Sequence, residues 1–478
     1  MLNQGKSGGQ RWLIPLLIAL FAIVAVVGGH ELASRGWFDE PNNVLFEADC
    51  SRVVENSTDL GGEQGRARVH PLHVLLIAPV GSLLAGLLGA QLVTILVTAL
   101  AGAGLLYNVE RILAEQLGLS TLDRALIVVL LGASASQVTF TMVPDTHLLS
   151  GFALSGMARS LTPDRVARLQ EMNQSVWRWF KAGGTVPAAW SILAVGMLGT
   201  NLAAVAVLGY LVNPGRFWSR ALRTACWTGA TFACVLSLNM AQRAVWPPAP
   251  FREHVHVPRP RAPRPPIVIA AEAVGPHMTA FTPPPPADVR PAKLSVGHLG
   301  DYAKWVWTTN TRFMTPPKAY PRRIAELVPA FFGTAFLAPH LGLTPKPQAD
   351  VLGLTFEPWD FDFRLPGVLG LALSVLVCAR LLVATRGRLQ STAQPVSLFC
   401  SALVGGYLFI VGWYGDEAFL FSPNWVFAVV VLVASVYASA IHLQPRLQRP
   451  WRLGLACLVV LTLVNSALHV RDVFAYLT

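Results

Sequence analysis

Charge is what this 478-residue chain has least of: Asp, Glu, Lys and Arg together make up 13% of it, against about 25% in soluble domains. With 53% hydrophobic residues and a positive mean hydropathy, that shortfall excludes an ordinary soluble protein. Cysteine is scarce as well. Of the six cysteines, five stand in apolar runs, Cys50 is the only clear loop cysteine, and no C-x-x-C pair occurs. Neither a disulfide framework nor a cysteine metal site is implied. No internal repeat is visible. The apolar runs hold almost no Asp, Glu, Lys or Arg away from their ends. Ion-coupled transporters and proton pumps place such groups mid-membrane, so their absence argues against transport. The net charge of +11 invites a nucleic-acid reading. The cations, however, sit in short loops between apolar runs, as in the cytoplasmic loops of membrane proteins, and no nucleic-acid partner is expected.

What the sequence does have is a series of runs near the ~20 residues that cross a bilayer. Spans are expected at 12–28, 91–110, 124–142, 146–160, 184–199, 201–214, 220–245, 366–385, 395–413, 425–443 and 452–470. The first run comes after Lys6 and Arg11 and reads as an uncleaved helix rather than a signal peptide, because the later spans need it for parity. The stretch 71–89 is also apolar; it is placed as a helix at the outer interface, since counting it as a span inverts everything after it. The expected fold is an all-α polytopic membrane protein, a bundle of about 11 transmembrane helices with extracytoplasmic loops.

Loop charges orient it. Loop 159–183 carries Arg159, Arg165, Arg168, Arg178 and Lys181 against Asp164 and Glu171, and loop 214–223 has three arginines and no acid. Arg386 with Arg388, and Arg446 with Arg449 and Arg452, mark two further loops on the same side as the N-terminus, which the positive-inside rule makes cytoplasmic. The acidic pieces fall opposite: 29–70, "PDTH" at 144–147 and "YGDE" at 414–417. The chain thus has three regions: a transmembrane module 1–245 with a first extracytoplasmic loop 29–90, a loop region 246–365, and C-terminal helices 366–478. Between Pro247 and Pro291 the loop region has fourteen prolines, so extended, irregular backbone is expected there. Within it, "RIAELVPAFFGTAFLAPHLGL" reads as an interfacial or re-entrant helix.

The titratable groups therefore gather at the outer face. The first loop offers Glu47, Asp49, Glu55, Asp59 and Glu63 together with Arg52, Arg66, Arg68 and His70. A transferase joining a sugar to a hydroxyl needs a carboxylate to take the acceptor proton. It also needs cations to stabilise charge growing on a departing phosphate. A solvated surface loop of mixed charge is the bland alternative on composition alone.

"NVLFEADCSRVV", "RARVHPL", "VPDTH", "GTN" and "EAFLFSPNW", in that order, resemble a family of bacterial integral membrane proteins. The family is related to the GT-C glycosyltransferases that use polyprenyl-phosphate sugars, such as the protein mannosyltransferases and the lipid A aminoarabinose transferase. The resemblance covers most of the chain except the Pro-rich loop. It implies a GT-C-like bundle acting as a hexosyl or pentosyl transferase of the bacterial inner membrane; no metal ligand and no cofactor is assigned, and the resemblance leaves open whether a metal is needed. The donor is a polyprenyl-phosphate-linked sugar and the acceptor a lipid, glycan or protein. On this resemblance Asp49 is the base or acceptor-binding carboxylate and Asp145 the second acidic position. Arg52, Arg66, Arg68, His70, Glu417 and Asn424 are the substrate-binding candidates. Relatives tend to have Glu where Asp145 stands, and His in place of Asn424.

Smaller signals have plainer readings. His254 and His256 in "EHVH" are two polar residues of a Pro-rich loop rather than a metal pair, and Trp305, Trp307 and Phe313 form an aromatic belt. "NST" at 56–58 fits a glycosylation sequon that is common by chance, and "GTN" at 199–201 makes a tight outer turn. Two other classes compete with the transferase: a lipid-linked saccharide flippase, which needs a charged path through the bilayer, and a non-catalytic scaffold of envelope assembly.

Overall fold

The computed structural model describes residues 12–38, 45–46, 48–62, 64, 70–171, 180–213, 215–247, 333–346, 351–355, 363–385, 393–414 and 418–477. The chain divides into two units, Met1–Ala249 with Thr315–Thr478, and Pro250–Met314; the second lies wholly outside the described residues, as do His254, His256 and the aromatic belt at 305–313.

The larger unit is a polytopic helical assembly. Among the described residues, seven helices are long and apolar enough to cross a membrane. They are α1 (Leu13–Ser34), α4 (Ala90–Glu115), α11 (Phe217–Val245), α12 (Leu365–Thr385), α13 (Gln394–Tyr414), α14 (Val426–Leu443) and α15 (Gln448–Leu477). Every run expected to be a span is helical, but the crossings differ in kind. The run 124–142 is two helices, α5 (Thr121–Gly132) and α6 (Ala135–Met142), bent by 61°. The break has a local cause: Ser134 restarts the helix as an N-cap, its hydroxyl accepting from the Gln137 N–H. Ser466 of α15 donates to the Ala133 carbonyl that the break frees. Helices α7 (Thr146–Ser160), α9 (Thr185–Met197) and α10 (Leu202–Val212) have 15, 13 and 11 residues. At 1.5 Å per residue they reach about 17 to 23 Å, short of a ~30 Å hydrocarbon core. Helix α3 (His73–Leu88) is likewise short, and runs into α4 across Gly89, whose φ of +84° suits glycine. "GTN" forms the 3-10 turn Gly199–Asn201 between α9 and α10. It is more than a turn, because Asn201 is buried and bonds Ser150 Oγ at 2.7 Å and Tyr407 Oη at 2.7 Å.

The first loop carries α2 (Cys50–Thr58), seated on α3 where Gly81 lies against the Ser57 carbonyl. Asn56 and Ser57 are buried, so the sequon is sealed in this fold. Of the "RIAELVPAFF…" stretch, Gly333–Phe336 is one helical turn. Beyond it the chain forms an antiparallel pair, β1 (Gly342–Lys346) with β2 (Val351–Thr355). This hairpin is the one addition to the all-α expectation among the described residues. It pairs back to the first loop: the Phe46 N–H donates to Leu354 O at 2.8 Å.

Helices α4 and α14 are the most buried of the long helices, with α7 packed against both. Antiparallel connectivity then sorts the polar groups to two ends. Glu110, Asp123, Arg124, Arg159 and Arg452 sit where α4 and α7 finish and α5 and α15 start. Asp145, His70, Asn424, His469 and the Arg364–Asp472 ion pair sit at the other end. Ionisable groups are costly between those ends, which is why the pattern takes this form.

Candidate active site

Asp145 is the N-cap of α7. Its backbone is extended (φ −148°, ψ 153°), its Oδ1 accepts the His147 N–H at 2.7 Å, and it is 1% exposed. Pro144 blocks continuation from α6, and the acid satisfies one of the amides left over where α7 begins. A carboxylate here also meets the positive end of the helix dipole.

Two histidines flank it. His70 Nδ1 hydrogen-bonds the Met197 carbonyl, and its Nε2 lies 2.8 Å from Thr146 Oγ1. A carbonyl only accepts, so Nδ1 donates; in the neutral ring Nε2 is then the acceptor and Thr146 donates its hydroxyl. His147 Nδ1 is 3.2 Å from Asn424 Nδ2, which also donates to Phe421 O at 3.1 Å. The His70 and His147 rings meet edge to face with centroids 6.0 Å apart, and His147 lies 4.6 Å from the Phe421 ring. All of these polar residues are buried. Three pieces far apart in the chain, "RARVHPL", "PDTH" and "SPNW", are thus one polar cluster. Gly151 makes the closeness feasible: a Cβ there would stand 2.3 Å from the Pro423 carbonyl oxygen.

Asp49 approaches from the first loop. It stands at the start of α2 and is half-buried, the more accessible of the two acids. Its neighbour Cys50 is buried, and burial together with the nearby Asp145 carboxylate pushes its thiol well up from the ordinary range. The start of α2 and the "PDTH" turn are therefore electrostatic neighbours. Arg52, half-buried one turn into α2, forms no ion pair among the described residues. Phe46, three residues before Asp49, holds φ at +53°, a strained position for a non-glycine residue. Arg66, Arg68 and Glu417 lie outside the described residues.

A second group braces this loop. His469 Nε2 is 3.0 Å from Thr139 Oγ1, and its ring centroid is 5.8 Å from that of Phe46, which packs on Phe419. Sequence reading missed His469, Thr146 and His147 as individuals. The signals were present: a histidine inside an apolar run, and two polar residues beside Asp145 in a motif read for its acid alone. Among the described residues no group of three His, Cys, Asp or Glu side chains is placed to hold a metal ion.

Comparison with protein-family models, with curated proteins and with solved structures finds no match for this chain. The cluster sets a buried carboxylate that caps α7 beside two imidazoles held by hydrogen bonds at one end of a membrane bundle, and half-buried Asp49 stands at the start of the neighbouring α2.

Proposed function

We propose that this protein is a GT-C-like glycosyltransferase of the bacterial plasma membrane. It moves a hexosyl or pentosyl group from a polyprenyl-phosphate carrier to a hydroxyl of a lipid, glycan or protein. Its N-terminus is inside, about 11 helical segments traverse or enter the bilayer, and the site faces outward. The observation that carries this reading is the approach of the Asp49 segment to the Asp145 turn at the acidic-loop end of the bundle.

In this reading Asp49 accepts the proton of the acceptor hydroxyl as that oxygen bonds the anomeric carbon. The bond from that carbon to the phosphate oxygen breaks, and the electron pair leaves with the polyprenyl phosphate. Arg52, Arg66 and Arg68 stabilise the departing charge. Asp145 is a positioning residue in two ways: its oxygen holds the start of α7 so that Thr146 and His147 keep their partners, and its charge helps to arrange the reacting groups; His70 and Asn424 serve the same turn.

Proteoliposomes charged with undecaprenyl-phosphate sugars and a cell-envelope acceptor extract test it. Wild-type protein transfers radiolabel to the extract, and Asp49→Asn slows transfer by roughly 100-fold, the scale of a lost general base. Normal transfer by the Asn variant removes Asp49 from the reaction. Sugar that crosses the bilayer still joined to its carrier makes the protein a flippase instead.

A further inference from the structure

At the end of the bundle opposite the candidate active site, α1, α4 and α5 enclose a groove of about 870 Å³. Small residues line much of it, Ala19 and Ala22 on α1 and Ala103 and Gly104 on α4. The groove runs from Ile23 to Ile14 along α1 and from Leu100 to Arg111 along antiparallel α4. At 1.5 Å per residue those stretches are about 14 and 16 Å long. One leaflet of a ~30 Å hydrocarbon core is about 15 Å deep, so the apolar part matches a single leaflet.

The charged residues all lie at one end of this trough, where headgroups begin. Arg124 Nη1 donates to Glu110, and its Nη2 donates to Thr121 Oγ1 at 3.1 Å. Arg111 binds Glu115 through Nε at 2.9 Å, yet its side chain stays 36% exposed. Arg159 lies over the Tyr107 ring, 5.1 Å from its centroid, and Tyr107 lines the groove. Three arginines against two glutamates leave the cluster one positive charge. A trough one leaflet deep with a net cationic mouth complements an amphiphile with an apolar tail and an anionic head.

We infer that this groove is a binding site for an anionic glycerophospholipid of the surrounding bilayer. The acyl chain lies over Ala19, Ala22 and Ala103, and the phosphate meets the exposed guanidinium of Arg111. Arg–phosphate contacts are among the strong, charge-assisted hydrogen bonds, and a cation at the membrane surface favours anionic lipid. This site is separate from the proposed transferase chemistry and stands whether or not that reading holds.

The test uses the full chain reconstituted in vesicles of equal phosphatidylglycerol and phosphatidylcholine, re-extracted in mild detergent, with retained lipid counted by native mass spectrometry. Wild type retains phosphatidylglycerol over phosphatidylcholine. Arg111→Gln lowers that preference by about fivefold, as expected for one surface cation. Ala103→Leu, which adds bulk to the groove lining, lowers retention of both lipids. A thermal melt run alongside keeps the variants interpretable, and Arg111→Lys, which preserves the charge, restores most of the preference. Equal retention of the two lipids by wild type overturns the proposal, as does unchanged retention in both Arg111→Gln and Ala103→Leu. Disulfide capture of a second copy through Ala19→Cys, at a yield insensitive to lipid, also overturns it by giving the groove a protein occupant.

Discussion

In the proposed transferase Asp145 carries two separable jobs, and two substitutions distinguish them. Asn matches Asp as an N-cap, so Asp145→Asn keeps an oxygen near the His147 N–H while removing the charge. Asp145→Ala removes both. Loss of the cap costs about 1 kcal/mol, and loss of the charge at the helix N-terminus about 0.3–1 kcal/mol more. In a chain of this size the Ala variant should melt only a few degrees lower (about 2–4 °C per kcal/mol in smaller domains), and the Asn variant within a degree or so of wild type. If the charge helps to arrange the reacting groups, both variants slow sugar transfer by about 100-fold, the scale of a misplaced reacting group, despite their different melting points. Cys50 supplies an independent readout. The Asp145 charge opposes thiolate formation and so raises the Cys50 pKa; removing it lowers that pKa, although burial keeps it above the ordinary thiol range. Proteoliposome transfer, thermal melting and the pH dependence of Cys50 alkylation check these outcomes. Wild-type transfer by Asp145→Asn refutes the reasoning and leaves Asp145 a cap and nothing more.

Single cysteines at Asp59 and Asp164, both exposed, report sidedness: an impermeant maleimide should reach Asp59→Cys only from outside and Asp164→Cys only from inside, and labelling of both from one side overturns the proposed orientation. Cys50, buried with a raised pKa, should resist maleimide up to about pH 9 in the folded protein and react on denaturation; stoichiometric labelling of the native chain contradicts its burial. Gly151→Ala places a methyl against the Pro423 carbonyl and should cost about 1–3 kcal/mol by overpacking, with loss of the Asn424–His147 contact. An unchanged melting temperature speaks against that packing.

Hydropathy made most helices legible, because a run such as 426–443 is apolar on every side and admits one interpretation. Composition carried less information at 124–142. The run is apolar throughout, and its break at Gly132–Ser134 depends on one serine cap and on Ser466, more than three hundred residues away. The three short helices look like spans in one dimension, and their length falls short only when multiplied by the helical rise. Asp49 and Asp145 stood out as acids in turns between apolar runs. The partners of the Asp145 turn did not, since Thr146 to His70 and His147 to Asn424 are long-range pairings that no local pattern encodes. The hairpin left no clear mark in the sequence because its strands are five residues each and come after a Pro-rich segment.

The separation between His147 and Asn424 has a consequence for biogenesis. Those residues are 277 positions apart, and helices enter the membrane in the order of synthesis. For most of translation the start of α7 therefore carries an imidazole whose amide partner has not yet been made. Closing so long a loop is entropically slow. The polar cluster is accordingly among the last features to form, after the helices around it are already inserted. A chain released before Val426 should reach the membrane, keep its early helices, and expose the Asp145 turn to degradation.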